Sequence, residues 1–318
     1  MNYVFGPVPS RRLGRSLGID PIPLKTCNWN CVYCQLGRTR PLTNSIQPYH
    51  PIEAILDEVS SVLTAVSPPQ IDWITIVGSG EPTLHSQIGE LILGLQHLSD
   101  LPVAVITNGA LLYRPEVREA LAPAQAVLPS LDAGSPQLYK HLNRPHPELT
   151  FERVLGGLVD FRREYSGHYW LEVMLIDGLN DTDQACYDLA RAVEKIQPDI
   201  IHLSLPTRPP AEDWVKPSTP EGLARAAEML GKHAVVISDQ DGGFELDTQV
   251  DLIHALAAIL QRHPMSQRQL EETIAQHPNA DVEECLQELR ASGLAQVVQR
   301  HGQRYWSSSG AYYGPQKR

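Results

Sequence analysis

The chain has 318 residues, 42% of them hydrophobic and 20% charged, and a formal net charge of −11. This composition excludes a disordered or fibrous protein, and no apolar run approaches the roughly 20 residues of a membrane span. Residues 1–40 set Arg11, Arg12, Arg15, Lys25, Arg38 and Arg40 against Asp20 alone, so an acidic body that argues against general nucleic-acid affinity carries a basic segment able to meet one anionic ligand.

Short apolar runs alternate with helical patterns through most of the chain, the sign of repeated βα units around a parallel sheet. The expected order starts with strand Ser16–Leu24, helix Ile52–Val66, strand Ile71–Val77, helix Gln87–Leu98, strand Val103–Thr107 and helix Pro115–Leu121. It continues with strand Ala126–Leu131, helix Phe151–Tyr165, strand Tyr169–Ile176, helix Asp183–Ile196, strand Ile200–Leu205 and helix Glu221–Leu230. Asp181 and Thr182 are suited to cap the fifth helix. Six units are fewer than the eight of a closed barrel, so the fold class expected is α/β, an open partial (β/α)6 barrel with its chemistry at the C-terminal strand ends.

After Asp239–Gly243 this rhythm stops, and Thr248–Gln261 reads as a connecting helix. Two short helices, Ser266–Gln276 and Val282–Ser292, precede a hairpin of Ala295–Arg300 and Gln303–Ser307 turned at His301 and Gly302. This is a small winged-helix-like pattern. Its second helix carries Asp281, Glu283, Glu284 and Glu288 against Arg290, a charge that repels phosphate and favours a protein-contact or substrate-covering role. The expected domains are 1–240 for the partial barrel, 241–263 for a linker and 264–318 for the appendage. The N-terminus lacks the apolar stretch of a signal peptide, and a cytoplasmic protein is expected.

Cys27, Cys31 and Cys34 are three of only five cysteines and lie within eight residues, which fits a metal site in a reducing compartment better than a disulfide framework. Three thiolates can each hold one iron of a cubane cluster and leave the fourth iron open to a small molecule. Zinc would need a fourth ligand, for which His50 or His85 are the candidates. Spacing alone leaves cluster, zinc and simple burial open. Cys186 and Cys285 stand apart and read as packing residues.

The loop resembles that of the radical S-adenosylmethionine (SAM) superfamily, whose Cys-x3-Cys-x2-Cys pattern with an aromatic before the last cysteine is matched by Cys27, Cys31, Tyr33 and Cys34. The resemblance implies that Cys27, Cys31 and Cys34 hold one 4Fe-4S cluster, that SAM chelates the open iron, and that an electron from a reductant such as flavodoxin or ferredoxin cleaves SAM to methionine and a deoxyadenosyl radical. No further catalytic residue is assigned. It implies cofactor contacts by Tyr33 on the adenine side and by Gly78, Gly80 and Glu81 of the turn Gly78–Pro82, which is similar to a glycine-glycine-glutamate-proline motif with Ser79 in place of one glycine. Glu81 is the candidate for the methionine ammonium. Asn108 and Ser130, at the next two strand ends, are the candidates for ribose and carboxylate. Asp132 and the rim residue Arg208, with Arg11 and Arg12, are expected near the substrate; Arg11, Arg12 and Arg15 could hold an anion or close the barrel mouth.

Residues Gly6–Arg15 and Pro206–Glu212 resemble most the wybutosine-synthesis-type subfamily and its bacterial relatives, over roughly residues 1–240. The tRNA enzymes of that group use a second cluster held by further N-terminal cysteines, and none precedes Cys27 in this sequence. One cluster and an unassigned substrate, with RNA one candidate, are therefore expected. The alternative is a nucleic-acid-binding regulator in which a redox-sensing iron–sulfur or zinc site is joined to the winged helix. The third is a scaffold without catalysis.

Overall fold

Val4–Ser10 (β1) and Gly14–Ile19 (β2) form a hairpin, from which parallel βα units continue in a computed structural model that describes residues 3–65, 71–237, 251–278 and 280–314. The next units are Ile52–Ala65 (α1) with Trp73–Ile76 (β3), Ile88–Leu98 (α2) with Val103–Thr107 (β4), and Pro115–Leu121 (α3) with Ala126–Pro129 (β5). Pro136–Leu142 (α4) and Phe151–Glu164 (α5) then lead to His168–Met174 (β6), Asp183–Ile196 (α6) to Ile200–Ser204 (β7), and Pro220–Leu230 (α7) to Ala234–Val236 (β8).

The strands lie in sequence order from β1 to β8, with β1 antiparallel to β2 and every other neighbour parallel. An order without reversal wraps the sheet round one lumen, and among the described residues no pairing joins β8 to β1. The fold is the expected partial barrel, with β2 to β7 as its six foreseen strands. The first of these stops at Ile19 rather than Leu24, because Pro21 and Pro23 cannot continue a ladder.

One strand face packs Leu17, Ile74, Val105, Val127, Leu171 and Leu203 against the helices. On the other face, Leu13 from the β1–β2 turn enters the N-terminal end of the lumen against Ala104, Ala126 and Leu128. Two alanines leave room there for one leucine, whose burial contributes roughly 1.5–3 kcal/mol. The β1–β2 turn therefore closes the end opposite the strand C-termini.

Leu252–Leu260 (α8) lies within the expected connecting helix, while Asp239–Gly243 and residues 248–250 lie outside the described residues. Met265–Ser266 (β9), Gln267–Ala275 (α9), Val282–Ala291 (α10), Ala295–Arg300 (β10) and Gln303–Ser308 (β11) follow, with the strands paired in the order β10, β11, β9. His301 and Gly302 take φ of 49° and 77°, as a two-residue hairpin turn requires. Leu256, Leu260, Leu270, Ile274, Leu289 and Trp306 share a core with Phe5 and Val8 of β1. On α10, Glu283, Glu284 and Glu288 are exposed, and Arg290 lies 5.1 Å over the Trp306 ring. Among the described residues no helix is long and apolar enough to cross a membrane.

Candidate active site

The cysteine loop leaves β2 through Lys25, which takes φ of 62°. Lys25 N–H donates to the Ser79 carbonyl at 2.7 Å and Glu81 N–H to the Thr26 carbonyl at 2.8 Å, so the loop and the turn after β3 are joined backbone to backbone. Gly80 permits this, since a Cβ there would sit 1.9 Å from the Thr26 oxygen. On its other side the loop is held by the segment after α4: Asn30 N–H donates to Asn143 O and Val32 N–H to Leu142 O, both at 2.9 Å.

Cys27, Cys31 and Cys34 are free and partly exposed. Each sulfur has a donor from a different element: Asn108 Nδ2 lies 3.8 Å from Cys27 Sγ, Asn143 Nδ2 3.7 Å from Cys31 Sγ, and Lys25 Nζ 3.1 Å from Cys34 Sγ. Burial pushes the Cys27 thiol up to about 12, with Glu81 adding to it, and burial with Asp132 also raises Cys31. Thiolates so placed need positive charge beside them. Burial opposes the Lys25 charge, yet the sulfurs of Cys34, Cys27 and Cys31 hold its ammonium above the usual range.

Among the described residues no three His, Cys, Asp or Glu side chains converge on a point that could hold one ion. Three thiols with separate donors suit a body that presents several metal atoms, and the N–H groups facing sulfur are of the kind that tunes iron–sulfur clusters. The residues fit such a cluster. His85 is not placed as a zinc ligand: its ring nitrogens meet His50 O at 2.9 Å and Gln87 N–H at 3.1 Å. Cys186 is wholly buried in α6 and Cys285 packs against the C-terminal core, as expected.

Glu81 is 1% exposed, and its carboxylate accepts from Thr83 N–H, Thr83 Oγ1, Thr107 Oγ1 and Asn108 N–H at 3.0, 2.6, 2.5 and 2.6 Å. Three of these donors meet Oε1, and Asn108 N–H alone meets Oε2. The side chain braces the turn against the end of β4 through Oε1, and Oε2, which takes one of these four donors, keeps a lone-pair position of the kind an ammonium would meet. Burial raises its carboxyl group's affinity for a proton, while these hydrogen bonds oppose the shift. Asn108 is likewise engaged, with Nδ2 2.7 Å from Asn28 Oδ1 and Oδ1 2.9 Å from Ala110 N–H. Ser130 lies at the end of β5, bridged to Glu172, and is half-buried.

Tyr33 donates to Asp132 Oδ2 at 2.5 Å, and burial together with Asp132 keeps the phenol protonated. Asp132 also accepts from Asn143 Nδ2 at 2.7 Å and Met174 N–H at 2.9 Å, and is 2% exposed. It anchors the loop from below and does not face an open substrate space.

Arg208, Arg11 and Arg12 all act on the His263 ring and, after burial, lower its pKa. Arg15 is at the N-terminal strand ends, where its N–H meets Asp72 at 2.7 Å, and Arg12 pairs with Glu172 of β6 at 2.7 Å. Arg11 follows β1 in the same turn. Arg208 is at the rim after β7, donating to Gln35 Oε1 at 3.2 Å and meeting His263 Nδ1 at 2.7 Å. Asp181 does not cap α6: Thr182 accepts from Ala185 N–H in that role, and Asp181 binds the Ser218 hydroxyl at 2.6 Å. Asn28, Asn143 and Asn180 were not foreseen. Asn180, 1% exposed, ties Asp132 O to Met174 O at 2.9 and 2.8 Å, and single asparagines in loops carry no spacing signal.

A partial barrel whose strand β2 leads into a loop of three thiols, joined to a glycine-bearing turn after the next parallel strand, defines a class of enzyme that uses SAM and an iron–sulfur cluster. The profile of the Radical SAM superfamily matches residues 22–190, and the chain belongs to that superfamily. It is similar to UPF0026 protein MJ1312 of Methanocaldococcus jannaschii, with 32% identity over 278 residues and coverage of 86% of each chain. It is also 39% identical over 260 residues to GTPase Obg of Brachyspira hyodysenteriae, a match covering 80% of this chain but only 38% of that protein. The solved structure of TYW1 with a lysine-pyruvate adduct bound aligns with 93% of this chain and 80% of that one, at 16% identity and a TM-score of 0.47.

Proposed function

We propose that the chain holds one 4Fe-4S cluster through Cys27, Cys31 and Cys34, cleaves SAM on reduction by a flavodoxin or ferredoxin, and uses the deoxyadenosyl radical on a substrate for which RNA is one candidate. The observation that carries this reading is the set of three free thiols, each facing its own N–H donor, beside the turn at Gly78–Pro82. When bound, the cluster supplies one electron to the sulfonium.

The chain's own residues bind and orient. Lys25, Asn108 and Asn143 stabilise negative charge on the sulfurs. Glu81 sets the turn and accepts from the methionine amine, which Gly78 and Gly80 let approach the backbone. Tyr33, Asn108 and Ser130 line the remaining ligand contacts, Asp132 supports Tyr33, and Arg11, Arg12 and Arg208 bear on the substrate side. We assign residues 1–240 to the barrel domain, 241–263 to a linker and 264–318 to a winged-helix-like domain. Its exposed acidic α10 opposes a DNA-binding regulator. Its wing is engaged elsewhere, with His301 Nε2 2.9 Å from the Val215 carbonyl, which favours a cover for the barrel mouth.

The test is anaerobic reconstitution followed by reduction with dithionite or flavodoxin, measuring deoxyadenosine and methionine by chromatography. Both should form in equal amounts. Protein that loads zinc alone, or that loads a reducible cluster and binds SAM yet never cleaves it, would sink the reading.

A further inference from the structure

Ser79 stands where the resembled motif has glycine, and it is wholly buried. Its hydroxyl donates to Asp20 Oδ2 at 2.5 Å and its N–H to Asp20 Oδ1 at 3.0 Å. Asp20 follows β2 and is 2% exposed; the Nε of Arg262, 242 residues later, donates to the same Oδ2 at 2.8 Å. Arg262 is 7% exposed, follows α8, and holds its guanidinium 4.9 Å over the Phe5 ring. Its carbonyl accepts from Gln35 Nε2 at 3.0 Å, one residue beyond Cys34.

One C-terminal residue thus reaches both loops of the cofactor site, through its side chain to the turn and through its backbone to the cysteine loop. A buried ion pair is a weak source of net stability, because desolvation offsets most of the attraction. Breaking it leaves a charge stranded beside its neighbours, so its geometry is strongly specified. We infer that Arg262 is a positioning residue for SAM: through Asp20 and Ser79 it sets the backbone of the Gly78–Gly80 turn, and the C-terminal segment thereby governs SAM affinity. The hydroxyl of Ser79 adds to the backbone N–H a second, shorter link that glycine could not supply. This rests on the reading of that turn as the site of the methionine amine.

The test uses the full chain with its cluster reconstituted, reading iron and sulfide content, SAM affinity by equilibrium dialysis, and the change that SAM causes in the electron paramagnetic resonance spectrum of the reduced cluster. Arg262→Gln should retain its cluster, bind SAM roughly ten-fold more weakly, and show a smaller spectral change. Adding Asp20→Asn removes the stranded charge and should return affinity to within roughly three-fold of the parent. Ser79→Ala keeps the ion pair, loses only the hydroxyl, and should weaken binding in the same direction; it decides the matter where Arg262→Gln does not fold. Cluster-loaded Ser79→Ala at full affinity, or a double variant as weak as Arg262→Gln, overturns the inference. An unaltered chain that loads a cluster and binds no SAM overturns the reading of the turn instead.

Discussion

The Lys25 ammonium lies 3.1 Å from Cys34 Sγ and 2.8 Å from the Gly37 carbonyl, so a partly buried cation bridges the start and end of the cysteine loop. A positive charge and an N–H donor at sulfur both favour the more negative, reduced state of a cluster. Lys25→Met should lower the cluster midpoint potential by on the order of 60 mV, the one-electron equivalent of a charge-assisted bond worth about 1.4 kcal/mol. A potentiometric titration followed by electron paramagnetic resonance reads this directly. An unchanged potential at full cluster content would remove Lys25 from that role.

Glu81→Gln turns an amide NH2 toward groups that are themselves donors. Roughly 1–3 kcal/mol of stability should be lost, and SAM affinity should fall about ten-fold as the turn loosens. Thermal melting and equilibrium dialysis on cluster-loaded protein measure the two effects. If both match the parent, the brace between the turn and β4 has no functional weight.

His202 on β7 has its pKa lowered to about 4, by burial first and then by Arg12, and its Nδ1 lacks a protein partner. The unfolded chain takes up this proton near 6.5 and the folded chain near 4, so between these values the unfolded state binds more protons. Stability from this group is full above pH 6.5 and is lost as pH falls toward 4, at roughly 1.4 kcal/mol per pH unit at most. Urea unfolding of cluster-free protein from pH 4.5 to 7.5 should show this slope together with that of His263, His50 and His85, whose pKa values burial also lowers, and His202→Gln should reduce it. A variant with the same slope would place the titration elsewhere.

Single replacements Cys27→Ala, Cys31→Ala and Cys34→Ala should each abolish cluster absorption and deoxyadenosine formation, since losing one thiolate disrupts the cluster. Cys186→Ala and Cys285→Ala should retain both, though the first leaves a small void in α6 packing. Cleavage that survives loss of Cys31 contradicts the assignment of the loop.

The βα rhythm was legible because parallel strands buried on both faces read as continuous apolar runs, and Val103–Thr107 and Asp183–Ile196 match the expected bounds. Strand β1 was hidden by Pro7 and Pro9, which an edge strand tolerates and a central strand does not. Helix α4 has only seven residues, too few to show a period, yet it leads into Asn143. The cysteines announced themselves by spacing, whereas Asn108 and Asn143, which face Cys27 and Cys31, arrive from distant segments through the fold. Glu81 shows the limit most clearly: its place in the motif was readable, but its four donors come from Thr83, Thr107 and Asn108 and depend on how β3 and β4 are set together.

The Tyr313 hydroxyl donates to the Gln35 carbonyl at 2.6 Å, and Arg38 N–H donates to the Tyr312 carbonyl at 2.6 Å. These contacts span 278 and 274 positions, among the most costly closures a chain of this size can make. While the protein is being synthesised, the cysteines emerge early but wait for nearly the whole chain before their native surroundings exist. Three exposed thiols on a nascent chain are open to oxidation and stray metals during that interval. The contacts that Tyr312 and Tyr313 make to the cysteine loop thus complete its described surroundings last.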